Sequence, residues 1–292
     1  MKRIALFCLT ALVAFSNADF ALAEVTDSTG IHYYTKDATV YVFEDQANLR
    51  AMPGIDAPII TKLPIDTKLT ILADASTWGE DNTYTQNNME LPWIQVSLPL
   101  SPKKTIGYVW AGNLAKTAIS ADLGRDGQME RILTGFTAKT PSESMPGKYT
   151  VEMRVLRAGK QIASHNFEMT YTEANGLETT LYQPSGFAPT IDILKQDFLP
   201  EACAVTGGEM LFAWHSDHWV PVLNESYSSD AGAFSNYANI IFPAEKGGRK
   251  NTIRVKRISE YDWDDRIHGY KKRDTSWSSY TWNGVAFNKA KY

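Results

Sequence analysis

Cysteine is scarce in this chain. There are two in 292 residues, Cys8 and Cys203. Long apolar runs are lacking too. The longest opens the chain, from Ile4 to about Phe15, roughly a dozen residues where a bilayer-spanning helix needs about 20. It is preceded by Met1-Lys2-Arg3 and followed by Ala21-Leu22-Ala23. A charged start, a short apolar stretch and small residues before the cut are the requirements of a secretory signal. The expectation is a signal peptide over residues 1–23, cleaved between Ala23 and Glu24. Cleavage removes Cys8 and leaves Cys203 as the only thiol, so no internal disulfide can form. Cys203 then reads either as a buried small apolar residue or as a reactive or intermolecular thiol. Glu24 after the cut, where a lipoprotein carries cysteine, disfavours a lipid anchor. The expected product is periplasmic or secreted, with no membrane anchor.

Excess positive charge is absent as well. The formal charge is −4, and −5 without the first 23 residues, which carry Lys2, Arg3 and Asp19. Such a chain has no electrostatic footprint for nucleic acid. Lys271-Lys272-Arg273 is flanked by Asp262, Asp264, Asp265 and Asp274 and reads as a solvated turn. The serine-hydrolase elbow and the phosphate-cradling glycine loops are missing.

What is present is β-forming. Aromatic residues make up 12% of the chain, which favours strands over helices. Over residues 30–118 the runs Val40–Phe43, Ile59–Leu63, Lys68–Leu72, Trp93–Val96 and Ile106–Trp110 are short and separated by turn signals such as Pro53-Gly54. This spacing predicts a small barrel or sandwich. Residues 119–292 carry four hairpin signals. These are Tyr149–Leu156 with Gln161–Tyr171, Met210–Trp214 with Trp219–Leu223, Ile240–Pro243 with Thr252–Ile258, and Tyr280–Trp282 with Val285–Phe287. The fold class expected is all-β, a small barrel followed by an antiparallel β domain built as a sandwich or as propeller-like hairpins. Ile191–Phe198, stopped by Pro200, is the best candidate for a short helix.

The ordered pieces Asn48-Leu49-Arg50, Pro53-Gly54, Ile59–Leu63, Trp93-Ile94-Gln95-Val96 and Gly107-Tyr108-Val109 resemble the bacterial SH3-like (SH3b) domain. The match covers about 75 residues. Either Trp78 or Trp93 can take the place of the family tryptophan, and the spacing to Val96 favours Trp93. Ala73 to Pro92 is then an enlarged loop, of a length that is usually functional or disordered. The resemblance implies a module that engages peptidoglycan or an envelope protein or peptide. Tyr41, Trp78, Tyr108 and Trp110 are the ligand-binding candidates, through stacking and apolar contact. The alternative for Tyr108 and Trp93 is barrel core; Tyr108 and Trp110 share a strand face and should go together. The C-terminal pieces Glu201-Ala202-Cys203 and Tyr280–Gly284 resemble, more weakly, β-rich parts of exported bacterial proteins, and imply no activity.

Three sets of residues carry possible chemistry. Asp122, Asp126 and Glu130 stand at positions 1, 5 and 9 of a loop with Gly127 at 6, which suggests calcium; Gly124 and Leu133 at positions 3 and 12 depart from the pattern, and the alternative is an Asp-Gly turn leading into a strand. His215-Ser216-Asp217-His218 has zinc-donor types but reads as a hairpin tip. Cys203 with a histidine would make a cysteine peptidase of the cell wall, but Ala204–Gly208 is too short and glycine-rich for the helix that usually activates such a thiol. The expected function is non-catalytic binding at the cell envelope, and the alternative is a cell-wall hydrolase or peptidase, or its accessory, using Cys203.

Overall fold

The computed structural model describes residues 29–30, 33–76, 82–99, 105–141, 148–169, 174–183, 186–187, 191–200, 202–230 and 233–290. The expected signal peptide and Trp78 lie outside them. The described chain is β structure throughout, broken by one 3-10 turn at Ala111–Asn113. All strand pairing is antiparallel, as the fold class requires.

The first ten strands are β1 (Thr29–Gly30), β2 (Tyr33–Tyr34), β3 (Thr39–Tyr41), β4 (Ala47–Arg50), β5 (Ile59–Leu63), β6 (Lys68–Ile71), β7 (Ala75–Ser76), β8 (Thr83–Gln86), β9 (Met89–Leu98) and β10 (Thr105–Trp110). Six of them form a half-barrel in the order β3-β6-β9-β10-β4-β5, with β8 paired to β9 and a separate β2–β7 pair. Alternation decides which residues face inward. Ala47 and Leu49 of β4 are buried while Asn48 and Arg50 stay half-exposed, and Leu69 and Ile71 of β6 point in together. The centre of the sheet is β9. From Leu91 to Leu98 only Gln95 escapes burial, the mark of a strand covered on both faces.

Among the described residues of the stretch expected as an enlarged loop, 73–76 and 82–92, most are strand. They contain β7 and the β8–β9 hairpin. Its turn is Asn87-Asn88, with φ of 52° and 59°. Two consecutive left-handed residues match the twist of a two-residue hairpin, and asparagine tolerates that conformation best after glycine.

Next come β11 (Thr117–Ala121), β12 (Glu130–Lys139), β13 (Tyr149–Arg157) and β14 (Lys160–Met169), a four-stranded meander. The rest is β15 (Ala174–Tyr182), β16 (Asp192–Pro200), β17 (Gly207–His215), β18 (His218–Asp230), β19 (Phe234–Ile241), β20 (Thr252–Asp264), β21 (Gly269–Trp282) and β22 (Phe287–Lys289). They run in chain order across a nine-stranded sheet, with β1 added beside β15. All four expected hairpins are present.

The helix expected at Ile191–Phe198 is strand β16. Its neighbours bury it on both faces. Leu194 packs with Ile132, Val155 and Phe212, whereas Ile193 packs with Leu211, Ile253 and Trp282. Adjacent apolar residues on opposite faces erase the period-two signal, and the run then mimics a buried helix.

A continuous core links the two halves. The half-barrel cluster around Leu49, Trp93 and Val109 extends to Phe136, Tyr149, Leu177 and Phe198. Phe43, fully buried, packs with Leu133 and Leu156. A Cβ on Gly135 would lie 2.8 Å from the Phe43 ring, so only glycine lets that ring seat on β12. The boundary expected between residues 118 and 119 falls inside β11. At the same junction Lys116 is buried. Its ammonium donates to the Tyr34 hydroxyl, which donates to the Ala111 carbonyl at 3.2 Å. Burial pulls the Lys116 ammonium down from 10.5 to about 7 and pushes the Tyr34 phenol up.

Candidate functional site

Two concave surfaces border the half-barrel. The larger, about 630 Å³, is a groove between the half-barrel and the four-stranded sheet. Its walls come from distant parts of the chain. The β3–β4 turn brings Glu44, Asp45 and Gln46, and β4 brings Asn48. The β8–β9 turn brings Gln86 and Asn87, and the 3-10 turn brings Asn113. The sheet supplies Thr137, Glu152, Arg154 and Asn166. Strand register places Asn166 directly opposite Glu152, so these two share a face.

Local bonding holds these segments in place. The Asn87 amide donates to the Thr137 carbonyl at 3.0 Å, and the Lys139 amide donates to the Asn87 carbonyl at 3.0 Å, which docks the hairpin turn on β12. Gly112 lies beneath the Trp110 ring, where any Cβ would sit 2.0 Å from it. Arg154 stacks over Phe43 at 4.1 Å and donates to the Phe43 carbonyl at 2.7 Å, to Glu44 at 2.9 Å and to Glu152 at 2.7 Å. Behind the groove surface, Asn48 Oδ1 and Arg154 Nε are buried without a hydrogen-bond partner. Buried polar atoms are nearly always paired; of the orphans among the described residues these two border the groove, while His215 Nδ1, Trp219 Nε1 and Arg254 Nε lie on the large sheet.

The second surface, about 540 Å³, is an open cleft formed by the Met52–Pro58 loop, Thr83, Tyr84 and Trp93. Met52 and Ile55 on its rim are exposed. Arg50 props the loop by donating to the Ala57 carbonyl at 2.6 Å.

The aromatic candidates separate. Trp110 lines the groove but is only 4% exposed, and its indole N–H is spent on the Tyr84 and Leu91 carbonyls. It offers a carbon edge. Tyr108, on the same strand face, is half-buried against the core, and its hydroxyl accepts from Gln95 at 3.2 Å. Tyr41 is covered by the Arg131 guanidinium at 4.4 Å. Tyr84 and Trp93, whose rings lie 6.3 Å apart, line the cleft instead. Tyr84 went unnoticed because its segment read as loop.

The Asp122 loop is a turn tied to a strand. Asp122 accepts from the Gly127 amide, Asp126 accepts from the Gln128 amide, and buried Glu130 accepts from the Leu123 amide at 2.8 Å and from Arg157 at 2.6 Å. Arg157 also pairs with Asp126 at 3.3 Å. A hard cation wanting six to eight oxygens would have to displace that guanidinium. Among the described residues no three His, Cys, Asp or Glu side chains are grouped to hold a metal.

His215 and His218 face each other across the Ser216-Asp217 turn with ring centroids 6.4 Å apart, and Trp282 packs 5.1 Å from His215. Cys203 is exposed on the β16–β17 turn, so the buried alternative for it does not hold. It sits before the start of β17 and the histidine pair at the far end, about 27 Å of strand away.

A second polar concentration lies on the large sheet. Lys195 pairs with Asp197 at 3.1 Å and Glu209 at 3.6 Å, and the Tyr227 hydroxyl donates to Asp197 at 2.7 Å. Burial raises the Glu209 carboxyl from 4.5 to about 7 despite Lys195 beside it. Beside them Arg257 pairs with Glu225 and donates to the Ser278 hydroxyl at 2.9 Å. The groups of this network satisfy one another.

No protein-family model matches the sequence, and comparison with curated proteins and with solved structures gives no significant match.

Proposed function

We propose that this protein is a non-catalytic binding protein of the bacterial cell envelope, exported by its N-terminal signal and engaging peptidoglycan through the half-barrel side of the molecule. The observation that carries this reading is the groove. Its volume falls in the range of ligand sites. Its lining is rich in side-chain amides, which donate and accept hydrogen bonds without performing acid–base chemistry at neutral pH. The resemblance of residues 48–110 to SH3-like modules supports the same reading. The groove lining holds no cysteine, serine or histidine, and two of its carboxylates, Glu44 and Glu152, are tied to Arg154 rather than free for acid–base work; Cys203 lies remote from the histidines of the β17–β18 turn.

The test is retention of the chain 24–292 on purified peptidoglycan sacculi. The whole chain is used because the half-barrel shares its core with β12, β13, β15 and β16. Retention above that of an unrelated acidic β protein is expected. Complete recovery in the unbound fraction would remove peptidoglycan as the ligand.

A further inference from the structure

Resting on that reading of the groove, we infer that it takes an uncharged oligosaccharide segment bearing hydroxyl and acetamido groups, held by Asn48, Gln86, Asn87, Asn113 and Asn166.

The argument is one of matching donors and acceptors. Each side-chain amide offers a carbonyl and an NH₂, of which Asn87 has already given one N–H to the Thr137 carbonyl. Hydroxyl and acetamido groups carry donor and acceptor together, so they satisfy both halves of an amide. The orphan Asn48 oxygen asks for the same pairing. Asn48 Oδ1 is an acceptor without a donor; Arg154 Nε, also unpartnered, is buried behind the groove surface and held away from a ligand by the bonds of its guanidinium. The Asn48 carboxamide turns on a broad, soft torsion, which brings its oxygen to the groove at small cost.

Charge narrows the choice. Glu44, Asp45 and Glu152 face one cation, Arg154, so these lining groups sum to −2. Arg154 is already held between Glu44 and Glu152. An anionic ligand would meet like charge with no free cation to receive it. A strongly cationic ligand would compete with Arg154 for Glu44 and Glu152, which already hold it. A bound peptide would call for apolar side-chain pockets along the groove. The apolar side chains lining it are Ala47, Met89, Trp110 and Phe136, all buried and showing little surface. A densely hydroxylated chain needs no such pockets.

The experiment is calorimetric titration of the chain 24–292 with four soluble probes: tetra-N-acetylchitotetraose, its de-acetylated form, tetragalacturonic acid and a neutral tetrapeptide. The same chain is then tested on sacculi. Asn113→Ala with Asn166→Ala is the variant, checked for an unchanged melting temperature; Asn48→Leu is a second variant that keeps roughly the side-chain volume but removes the carbonyl oxygen. The acetylated tetramer should bind best, and either variant should weaken it about tenfold or more, the effect of one or two lost hydrogen bonds. Preference for the galacturonate or the peptide would overturn the inference. So would sacculus retention that both variants leave intact, although the envelope function would then stand. Binding of the acetylated tetramer without sacculus retention would support the groove chemistry and end the peptidoglycan reading.

Discussion

The groove and the Lys195 network hold similar kinds of residue in opposite states. In the network, Lys195, Asp197, Glu209 and Tyr227 point at one another, and every charge has a partner within the molecule. In the groove, amides line an open space and two polar atoms have no protein partner at all. A polar cluster whose members satisfy each other is a structural device, even when it includes a carboxyl as perturbed as Glu209. One that leaves bonding capacity unused is where a ligand gains affinity. Perturbed titration alone would have ranked the two the other way round.

The largest effect separating them should come from Asp197→Ala. It removes the nearer partner of the Lys195 ammonium, leaving Glu209 at 3.6 Å, and the shorter bond of the Tyr227 hydroxyl, leaving the Phe198 carbonyl at 3.2 Å, and a loss of about 1–3 kcal/mol in denaturant unfolding is expected. Ligand retention by the folded fraction should be unchanged. If stability holds and retention falls, the assignment of the two regions is reversed.

The pH dependence of stability sharpens the same contrast. Native Glu209 titrates near 7 and the unfolded residue near 4.5, so the native state holds the extra proton between these values. Its contribution therefore falls as pH rises across that window. Lys116 acts in the other direction. Its native value near 7 lies below the unfolded 10.5, the unfolded chain holds the extra proton, and stability rises from pH 7 towards 10.5. Glu209→Gln should flatten the first slope and Lys116→Met the second, as read from melting temperature against pH. Neither change should alter binding at a fixed pH where both variants are folded.

Substitutions in the groove should do the converse. Asn113→Ala with Asn166→Ala is expected to change stability by less than about 1 kcal/mol, since half-exposed Asn113 and exposed Asn166 contribute little to folding. Its effect should appear in binding. Smaller still is Asn88→Gly. Glycine accepts φ of 59° without strain, so the melting temperature should hold or rise slightly. A clear drop would mean the Asn88 side chain has a role beyond the turn. The smallest effect expected is that of millimolar calcium. With Arg157 occupying Asp126 and Glu130, the melting temperature should not move, and an upward shift would restore the Asp122 loop as a cation site.

Much of the fold was legible because turn chemistry was explicit. Ala158-Gly159, Ser216-Asp217 and Asn283-Gly284 announce hairpins, and positive φ at Ala158, Gly159, Ser216, Asp217 and Gly284 shows why. Strand β16 was misread because burial on both faces hides alternation. Strand β8 was missed because its residues, Thr83-Tyr84-Thr85-Gln86, are mostly polar and their β character comes from pairing with β9. The groove was less legible. Its residues come from six separated segments, and amides carry no spacing signature. Of the aromatic candidates described, Trp110 alone touches it, and then only by an edge. Tyr41 and Tyr108 are engaged by Arg131 and Gln95.

The most direct test is the affinity of the chain 24–292 for tetra-N-acetylchitotetraose, measured side by side for the native sequence, Asn113→Ala with Asn166→Ala, and Asp197→Ala. The groove variant should bind about tenfold more weakly at an unchanged melting temperature, and the network variant should bind normally at a lowered one. Equal affinity in the native protein and the groove variant would contradict the account.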